Sequence, residues 1–389
     1  MQSYFSSILF QLAIVLGLLP SNFILKDISD LKIKKANTSD STVTISISIV
    51  GDLMCHSPQF EYAKVGVDSF NFIPTFKYVK NLLSKPDLTI GNLETVTAGK
   101  EQDGYTGYPR FNSPVEYLDA LKDAGFDLLF TSNNHSLDRG EYGIIKTIDE
   151  LRSRNISYIG TYSSLQDRDS IRIFNLKGTT IAFLAYSYGT NGNPVPEKKE
   201  YLINLINKDL MNNDIQIARN KNVDIVFVYF HFGEEYQREP NKFQSEIVDQ
   251  AIESGADIII GSHPHVIQPV TLFKTKNVNC DSGIIAFSLG NFISNQRKRY
   301  TDTGVILTLN IQKNIYTGEI NLNQINFEPT WVFKGNTKSG KEYFIIPSEN
   351  DYVDLEFLSP KDSTTMTQAF SDTKEIIRKY TNSPRIKEN

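Results

Sequence analysis

The sequence has few cysteines and no region rich in positive charge. Only Cys55 and Cys280 are present, too few for a disulfide framework, and they could pair or both stay free. So few thiols also argue against a structural zinc finger. The formal net charge of −5 and the absence of a long Lys/Arg cluster argue against a nucleic-acid surface, which needs concentrated cations. The short basic run at residues 297–299 is interpreted as a solvated loop.

Long apolar runs are also scarce. Residues 8–19 (ILFQLAIVLGLL) match a signal-peptide core in length and fall short of the ~20 residues that a membrane-spanning helix needs. We therefore expect residues 1–21 to direct export or to anchor the chain in a membrane, with the folded part outside the cytoplasm. Residues 2–7 lack the usual basic residues, and a buried first helix is the alternative. Residues 22–42 are polar and are predicted to form a linker.

Strand and helix patterns alternate from residue 43 to about residue 299. Residues 43–49 alternate apolar and polar side chains, and residues 223–230 form a continuous apolar run typical of a strand buried on both faces. Residues 141–152 and 201–219 are predicted to be helices. This alternation predicts an α/β domain over residues 43–299 with much parallel strand pairing.

The pattern changes beyond residue 300. Residues 305–311, 319–327 and 330–333 resemble antiparallel strands, and residues 362–380 are predicted to be a helix. We therefore expect residues 300–389 to form a mostly β C-terminal extension with a terminal helix.

The few histidines follow predicted strands, as do two carboxylates. The carboxyl ends of strands in an α/β sheet gather at one edge, where ligands collect. Imidazole and carboxylate groups together suit zinc, manganese or iron. The sequence therefore predicts a metal site from six side chains at strand ends: Asp52, Glu94, Asn134, His231, His263 and His265.

These signals differ in strength when each is taken alone. Asp52 after a glycine is also explained by a turn or a helix cap, and Asn134 by a plain turn. His231 could be a core histidine with satisfied hydrogen bonds. Two imidazoles flanking a rigid proline, in His263-Pro264-His265, are hard to explain by packing. The joint occurrence of all these residues favours the metal site.

The motifs together resemble a known family. Residues 44–295 are similar to the CapA-type poly-gamma-glutamate and capsule synthesis proteins, which in turn resemble the calcineurin-like metallophosphoesterases. The motifs that carry the resemblance are Gly51-Asp52, Asn92-Leu93-Glu94, Asn133-Asn134-His135-Ser136-Leu137-Asp138-Arg139-Gly140, His231-Phe232-Gly233-Glu234-Glu235-Tyr236, Gly261-Ser262-His263-Pro264-His265-Val266 and Ser288-Leu289-Gly290-Asn291-Phe292.

The resemblance implies a fold of two β-sheets flanked by helices, a four-layer sandwich. It implies that Asp52 binds one metal and that Glu94 bridges two. Asn134 and His231 would bind the second metal, and His263 and His265 would divide between the two. One or two divalent ions are therefore expected, with Mn, Zn or Fe as candidates.

The resemblance also implies roles beside the metal. His135 would be the acid or the anion-orienting group, and Asp138 would orient it. Two departures from the wider superfamily stand out. Met54 occupies a position that is often histidine, so that a role for the later His56 stays open, and Glu94 is longer than the usual aspartate.

Arg110 and Tyr236 are candidates for substrate binding. A guanidinium suits a carboxylate or phosphate, and Tyr236 closely follows His231. A surface salt bridge and a packed ring are the alternatives.

Two functions are compatible with these features. The first is a metal-dependent hydrolase or phosphoesterase-like protein that acts in the synthesis or remodelling of an anionic surface polymer or its precursor. The second is a non-catalytic, metal-binding accessory subunit of a membrane-bound polymer synthase or exporter. A membrane association through the N-terminal segment suits both.

Overall fold

The computed structural model describes residues 41–348, 355–381, 383 and 385–388. The predicted export segment at residues 1–21 and all but the end of the predicted linker at residues 22–42 lie outside them. Among the described residues, no helix combines the length and the apolar character needed to cross a bilayer.

Two β-sheets form the centre of the molecule. In chain order the strands are β1 (Thr42–Leu53), β2 (Leu88–Leu93), β3 (Leu128–Phe130), β4 (Ser157–Ile159), β5 (Arg172–Leu176), β6 (Thr179–Ser187), β7 (Ile225–His231), β8 (Ile258–Ser262), β9 (Val270–Lys274), β10 (Ser282–Ala286), β11 (Asn291–Ile293), β12 (Thr303–Asn314), β13 (Ile320–Thr337), β14 (Gly340–Pro347) and β15 (Ile386–Glu388). The first sheet runs β14-β13-β12-β1-β2-β3-β4, with β11 on β1 and β15 on β13, and the second runs β5-β6-β7-β8-β10-β9.

Helices cover the outer faces of both sheets. They are α1 (Ser57–Ala63), α2 (Lys80–Ser84), α3 (Glu116–Ala124), α4 (Gly140–Ser153), α5 (Leu165–Asp169), α6 (Lys208–Asn220), α7 (Lys242–Ser254) and α8 (Pro360–Lys379), with short 3₁₀ turns at Ile73–Phe76 and Glu200–Leu202. Apolar residues of α6 and α7 pack on the second sheet, and those of α3 and α4 pack on the first. The predicted α/β class with two sheets flanked by helices is confirmed.

The main core lies between the two sheets. Alternate residues of β1, such as Ile45 and Ile47, are fully buried there, because successive side chains of a strand point to opposite faces. The rings of Phe130 on β3 and Tyr229 on β7 stack across the interface with their centroids 4.3 Å apart. This packing fixes the carboxyl end of β3 beside that of β7.

The C-terminal β-rich region shares the first sheet. Strand β12 pairs antiparallel with β1, from Thr42 opposite Asn314 to Ile49 opposite Leu307. The region therefore completes the sheet that carries β1, while the predicted domain boundary near residue 300 stays a prediction.

Two details differ from the sequence expectations. The helix predicted over residues 201–219 begins only at Lys208, since the Asn207 side chain accepts a hydrogen bond from the Leu210 amide and caps it there. Residues 319–327 and 330–333 belong to one strand, β13, because Pro329 within it faces β12 without breaking the ladder.

Candidate metal centre

The carboxyl ends of β1, β2, β7 and β8 converge at one edge between the sheets. Strand β1 passes so close to Gly290 that only glycine fits at residue 51, since a Cβ atom there would lie 1.9 Å from the Gly290 carbonyl oxygen. The Asp52 amide donates to that same oxygen at 2.9 Å. The chain thereby brings Asp52 to the edge reached by Asn291 and its neighbours.

Asp52 is fully buried and well supplied with donors. It accepts from Asn92 Nδ2 at 2.8 Å and from the Ser262 hydroxyl, and its Oδ2 lies 3.0 Å from His265 Nδ1. Burial raises the pKa of Asp52, but the His265 contact and the Ser262 and Asn92 hydrogen bonds outweigh burial and leave that pKa lowered. Asp52 is therefore an anionic carboxylate surrounded by hydrogen-bond donors.

Glu94 is equally buried but only half satisfied. Its Oε2 accepts from Asn92 Nδ2 at 3.1 Å, whereas Oε1 has no hydrogen-bond partner among the described residues. Oε1 lies 3.6 Å from His231 Nε2 and 3.8 Å from His265 Nε2, too far for hydrogen bonds. Ligands ~2.0–2.2 Å from one cation lie about 3–3.5 Å apart, so these two separations are only slightly longer than those of ligands that share an ion.

The electrostatic surroundings of Glu94 also favour a bound cation. Burial raises the pKa of Glu94 well above its usual value, and the negative charge of Asp52 raises it further. A divalent cation between the two carboxylates would offset this repulsion.

His231 and His263 are held neutral, as metal-binding imidazoles must be. Burial, together with the neighbouring histidines, lowers the pKa of His231 well below its usual value and that of His263 to about 3. His263 Nδ1 is buried without a hydrogen-bond partner among the described residues. Asn134 Oδ1 lies 2.8 Å from His231 Nε2, which places the amide oxygen in the same cluster.

Within the part of the chain that the structure describes, the potential ligand atoms fall into three overlapping groups, each with its members within 4.8 Å of one another. The groups are Glu94 with His231 and His263, Asp52 with Glu94 and His265, and Glu235 with His263 and His265. All six predicted ligand side chains therefore lie together, five of them in these groups and Asn134 through His231.

The loop that carries the two adjacent histidines has an unusual backbone. His263 has φ of 99° and His265 has φ of 57°, in the left-handed region that non-glycine residues seldom adopt. Such strain is found where surrounding structure requires a particular side-chain direction. Here the left-handed backbone conformations of His263 and His265 direct both imidazoles into the cluster.

His135 and Asp138 form a second, adjoining unit. His135 Nδ1 lies 2.7 Å from Asp138 Oδ2, which also accepts from the Phe111 amide at 2.7 Å. Asn191 connects this unit to the cluster, since its Oδ1 accepts from Asn134 at 3.2 Å and its Nδ2 lies 3.4 Å from His135 Nε2. His135 therefore lies at the rim of the cluster.

The two residues predicted to bind substrate border the same cleft. The Arg110 guanidinium donates to the Asp138 carbonyl from Nε at 3.1 Å and from Nη2 at 2.7 Å. The Tyr236 ring, 52% exposed, lies 6.3 Å from the His265 ring. Arg110 therefore flanks the His135 side of the cleft, and Tyr236 flanks the His265 side.

His56 lies outside the three groups. Its Nδ1 is 3.3 Å from the Asn295 amide, and its ring meets Phe111 edge-on at 5.1 Å. Burial lowers its pKa to about 4. These contacts place His56 in the wall of the cleft.

Several polar residues of the centre carry no prediction from sequence. Asn92 and Ser262 donate to Asp52, and Asn291 Oδ1 lies 3.1 Å from His265 Nδ1. Neutral side chains at strand ends resemble ordinary turn residues, so that only their place in the family-like motifs could have indicated them. Glu235 was also not predicted, because the sequence does not distinguish it from its neighbour Glu234, which is equally acidic.

The sequence has a clear family relationship. Residues 46–296 match the profile of the bacterial capsule synthesis protein PGA_cap. The chain belongs to this family. Its Asp52, Glu94 and three clustered histidines all fall within the matched residues, and the predicted CapA-type family is confirmed.

Two PGA_cap relatives show how far the similarity extends. The capsule biosynthesis protein CapA of Bacillus anthracis is 28% identical over 69% of this chain and 64% of its own length. The PGA biosynthesis protein CapA of Bacillus subtilis is 29% identical over 69% of this chain and 68% of its own length. The chain thus spans slightly less than two thirds of the first relative.

Similarity to solved structures is weaker. NAD nucleotidase of Haemophilus influenzae is 12% identical, with a TM-score of 0.44, and the match covers 90% of this chain and 57% of that one. The calcineurin-like phosphoesterase YfkN of Bacillus subtilis is 13% identical, with a TM-score of 0.41, and the match covers 87% of this chain and 99% of that one.

Proposed function

We propose that this PGA_cap protein is a metal-dependent hydrolase of the phosphoesterase type that acts in the synthesis or remodelling of an anionic capsule polymer. The observation that carries the proposal is Glu94 Oε1, a fully buried carboxylate oxygen without a hydrogen-bond partner among the described residues. Imidazole nitrogens of His231 and His265 lie 3.6 and 3.8 Å from it. Burying a carboxylate oxygen without a hydrogen-bond partner costs folding free energy unless a cation compensates its charge.

One or two divalent ions, with Mn, Zn and Fe as candidates, would be held by six side chains: Asp52, Glu94, Asn134, His231, His263 and His265. Glu235 is a further carboxylate within reach of His263 and His265. A bound divalent ion polarises an anionic oxygen and lowers the pKa of a water molecule that it binds.

His135 is proposed to transfer a proton at the rim of the site. Asp138 Oδ2 would accept a hydrogen bond from the Nδ1–H group of His135 and fix the ring orientation, so that Nε2 is the atom available to a leaving group. Arg110 lies beside this pair, where the guanidinium donors that Asp138 leaves free would bind a substrate carboxylate or phosphate. Tyr236 would pack against the substrate on the opposite side.

A non-catalytic accessory role is the second candidate. The relatives from two Bacillus species are named for biosynthesis, which favours a subunit that binds polymer beside a membrane-bound synthase or exporter. In both roles residues 1–21 would export or anchor the chain and place the metal centre outside the cytoplasm.

Metal analysis combined with turnover separates these roles. We expect His263→Ala and Glu94→Ala to lower the metal content of the purified protein by at least half, because each removes a ligand. His135→Ala should keep the metal and reduce hydrolysis of model phosphoesters or gamma-glutamyl peptides by about 10²-fold or more. His56→Ala is the matched histidine control and should keep its metal.

Three outcomes would count against parts of this assignment. Loss of metal in His135→Ala equal to that in His263→Ala would remove the proposed division of roles. Full metal content without turnover on any model bond would favour the accessory role. A wild-type protein that binds no divalent ion would contradict both.

A further inference from the structure

Glu235 is an exposed carboxylate beside the buried metal centre. One of its carboxylate oxygens lies within 4.8 Å of a ring nitrogen of His263 and of His265. His263 is 4% exposed, and its Nδ1 has no hydrogen-bond partner among the described residues. These three side chains, the outer group, therefore have the ligand types of a metal site but depend on one exposed residue for negative charge.

Regular secondary structure does not fix the direction of Glu235. The residue lies in the loop of residues 232–241, between β7 and α7. Gly233 has φ of 110° and Tyr236 has φ of 67°, so left-handed backbone conformations lie on both sides of Glu235. Such a conformation persists at a tyrosine only where the surrounding structure requires it. The position of Glu235 therefore depends on the contacts that hold the rest of this loop.

The loop after Glu235 is attached to the C-terminal helix α8. Arg238 Nη2 donates to the main-chain carbonyl of Asp372 in α8 at 2.8 Å. At the end of the same helix, Lys379 Nζ donates to Glu239 Oε1 at 2.9 Å. The pair of Lys379 and Glu239 is exposed and adds little stability, whereas Arg238 is half-buried. Arg238 is therefore the stronger of these two links between α8 and the loop.

The Arg238 guanidinium is also held by the loop that precedes β12. It lies over the Tyr300 ring, 4.3 Å from the ring centroid, and the Arg299 guanidinium lies over the same ring at 4.8 Å. Arg299 in turn forms two hydrogen bonds with the buried Asp372 carboxylate, at 2.8 and 2.7 Å. Asp372 thus binds one arginine through its side chain and the other through its main chain, so that α8 joins the two loops.

We propose that α8, through Arg238, positions Glu235 as a further metal ligand in the outer group. Arg238 is then a positioning residue, three residues from the ligand that it orients. Contacts that orient a ligand commonly contribute to metal affinity as well. The PGA_cap match ends at residue 296, so this contribution comes from a helix beyond the matched residues. The inference rests on the proposed function, because it requires the divalent ion of that function.

Calorimetric titration of the chelator-treated full chain with Mn²⁺ tests this arrangement. We expect Glu235→Gln and Arg238→Ala each to weaken Mn²⁺ binding by about tenfold, since the first removes a charged ligand and the second releases it from its position. The double variant should bind Mn²⁺ no more than about twofold more weakly than Glu235→Gln alone, because Arg238 acts through Glu235. A purely structural role of Arg238 would instead give losses that add.

Arg172→Ala is the matched control on the edge strand β5. The Arg172 guanidinium is half-buried, donates to the main-chain carbonyl of Asp167 at 3.0 Å and lies 5.5 Å from the Tyr158 ring centroid. Its loss also breaks an ion pair with Asp167, yet it should change Mn²⁺ binding by less than about twofold. Arg238→Gln is a milder change for the case that Arg238→Ala does not fold, and it should weaken Mn²⁺ binding by at least about threefold.

The contrary results separate this inference from the proposed function. Unchanged Mn²⁺ affinity in Glu235→Gln would overturn the inference but leave the proposed function intact, provided that Glu94→Ala still lowers the metal content. Additive losses in the double variant, or an equal loss in Arg172→Ala, would show that Arg238 does not act through Glu235. A wild-type chain that binds no divalent ion would contradict the proposed function itself.

Discussion

Glu94 and Asp52 are two fully buried carboxylates that share the donor Asn92. Asp52 receives further donors, whereas one oxygen of Glu94 has no hydrogen-bond partner among the described residues. Without a cation this arrangement opposes folding, because burial and the neighbouring charge both disfavour the ionised form of Glu94. Glu94 is thus a residue kept for ligand binding at the expense of stability.

This conflict predicts a pH-dependent gain in stability for Glu94→Gln in chelated protein. The unfolded chain ionises Glu94 near its ordinary pKa of 4.5, whereas the folded chain keeps the proton to higher pH. Below pH 4.5 the two proteins should therefore be alike in this respect. As the pH rises above that value, the wild type loses stability relative to the variant, by roughly 1–3 kcal/mol near neutrality.

Thermal unfolding across pH, with and without added metal, measures this effect. Metal should reverse the order and make the wild type the more stable protein, because the carboxylate of Glu94 binds a divalent cation more tightly than a glutamine amide at the same position would. Glu246→Gln, an exposed change on α7, should show neither effect. A Glu94→Gln variant less stable than wild type in chelator at pH 7 would contradict the argument.

The carboxylates and imidazoles of the centre were the predictable residues. Asp52, Glu94, His231, His263 and His265 are ligand types placed after recognisable strands, so the convergence of strand ends indicated their meeting. Asn291 could not be found in this way, because its role depends on the parallel pairing of β11 with β1, which joins residues far apart in sequence. Glu235 lies two residues after Gly233, whose φ is 110°, and only the folded turn shows that Glu235 is close to two histidines.

At the scale of elements, Gly51 sets the path of β1 into the centre. A side chain at residue 51 would collide with the Gly290 carbonyl, which accepts the Asp52 amide hydrogen bond. We expect Gly51→Ala to displace Asp52, to reduce metal content and to destabilise the fold by about 3 kcal/mol or more.

Gly189→Ala is the matched control for this substitution. Gly189 has no atom within 4 Å of the added Cβ and no positive φ, so its replacement should change stability by less than about 0.5 kcal/mol. Urea unfolding and metal analysis of both variants provide the test. A Gly51→Ala protein with full metal content and wild-type stability would mean that β1 and β11 can separate without effect on the site.

Local signals determined how well the elements were predicted. The continuous apolar run of β7 was recognisable, and α4 at Gly140–Ser153 lies within two residues of its predicted bounds. The predicted helix at residues 201–219 began too early because residues 201–206 instead form isolated β-bridges, from Ile203 to Thr161 and from Leu205 to Ser187. Such bridges depend on partners distant in the chain, which local periodicity does not encode.

For the whole molecule, location is a prediction from residues 1–21. Export or anchoring would place the metal centre where a surface polymer is assembled. N-terminal sequencing and cell fractionation should find the protein in the membrane or outside it, either shortened near residue 21 or retained by its apolar segment. An intact, soluble protein in the cytoplasm would contradict this expectation.

The pairing of β12 with β1 raises the question of whether residues 300–389 form a separable extension. Strand β12 meets β1 over eight residue pairs, from Thr42 with Asn314 to Ile49 with Leu307. Its residues Val305, Leu307, Leu309 and Ile311 are fully buried in the core between the sheets. At roughly 1.5–3 kcal/mol for each such side chain, their loss would equal much of the ~5–15 kcal/mol that stabilises a typical domain.

We therefore predict that a chain ending at residue 299 does not fold, although the PGA_cap match ends at residue 296. Its β1 would expose an unpaired edge and a row of isoleucines, both of which promote aggregation. Deleting residues 381–389 instead removes only the three-residue strand β15 and should preserve folding. Circular dichroism, size-exclusion chromatography and metal analysis of both truncations would decide. A soluble, cooperatively folded 1–299 chain with wild-type metal content would show that the C-terminal strands are a true extension rather than part of the fold that builds the site.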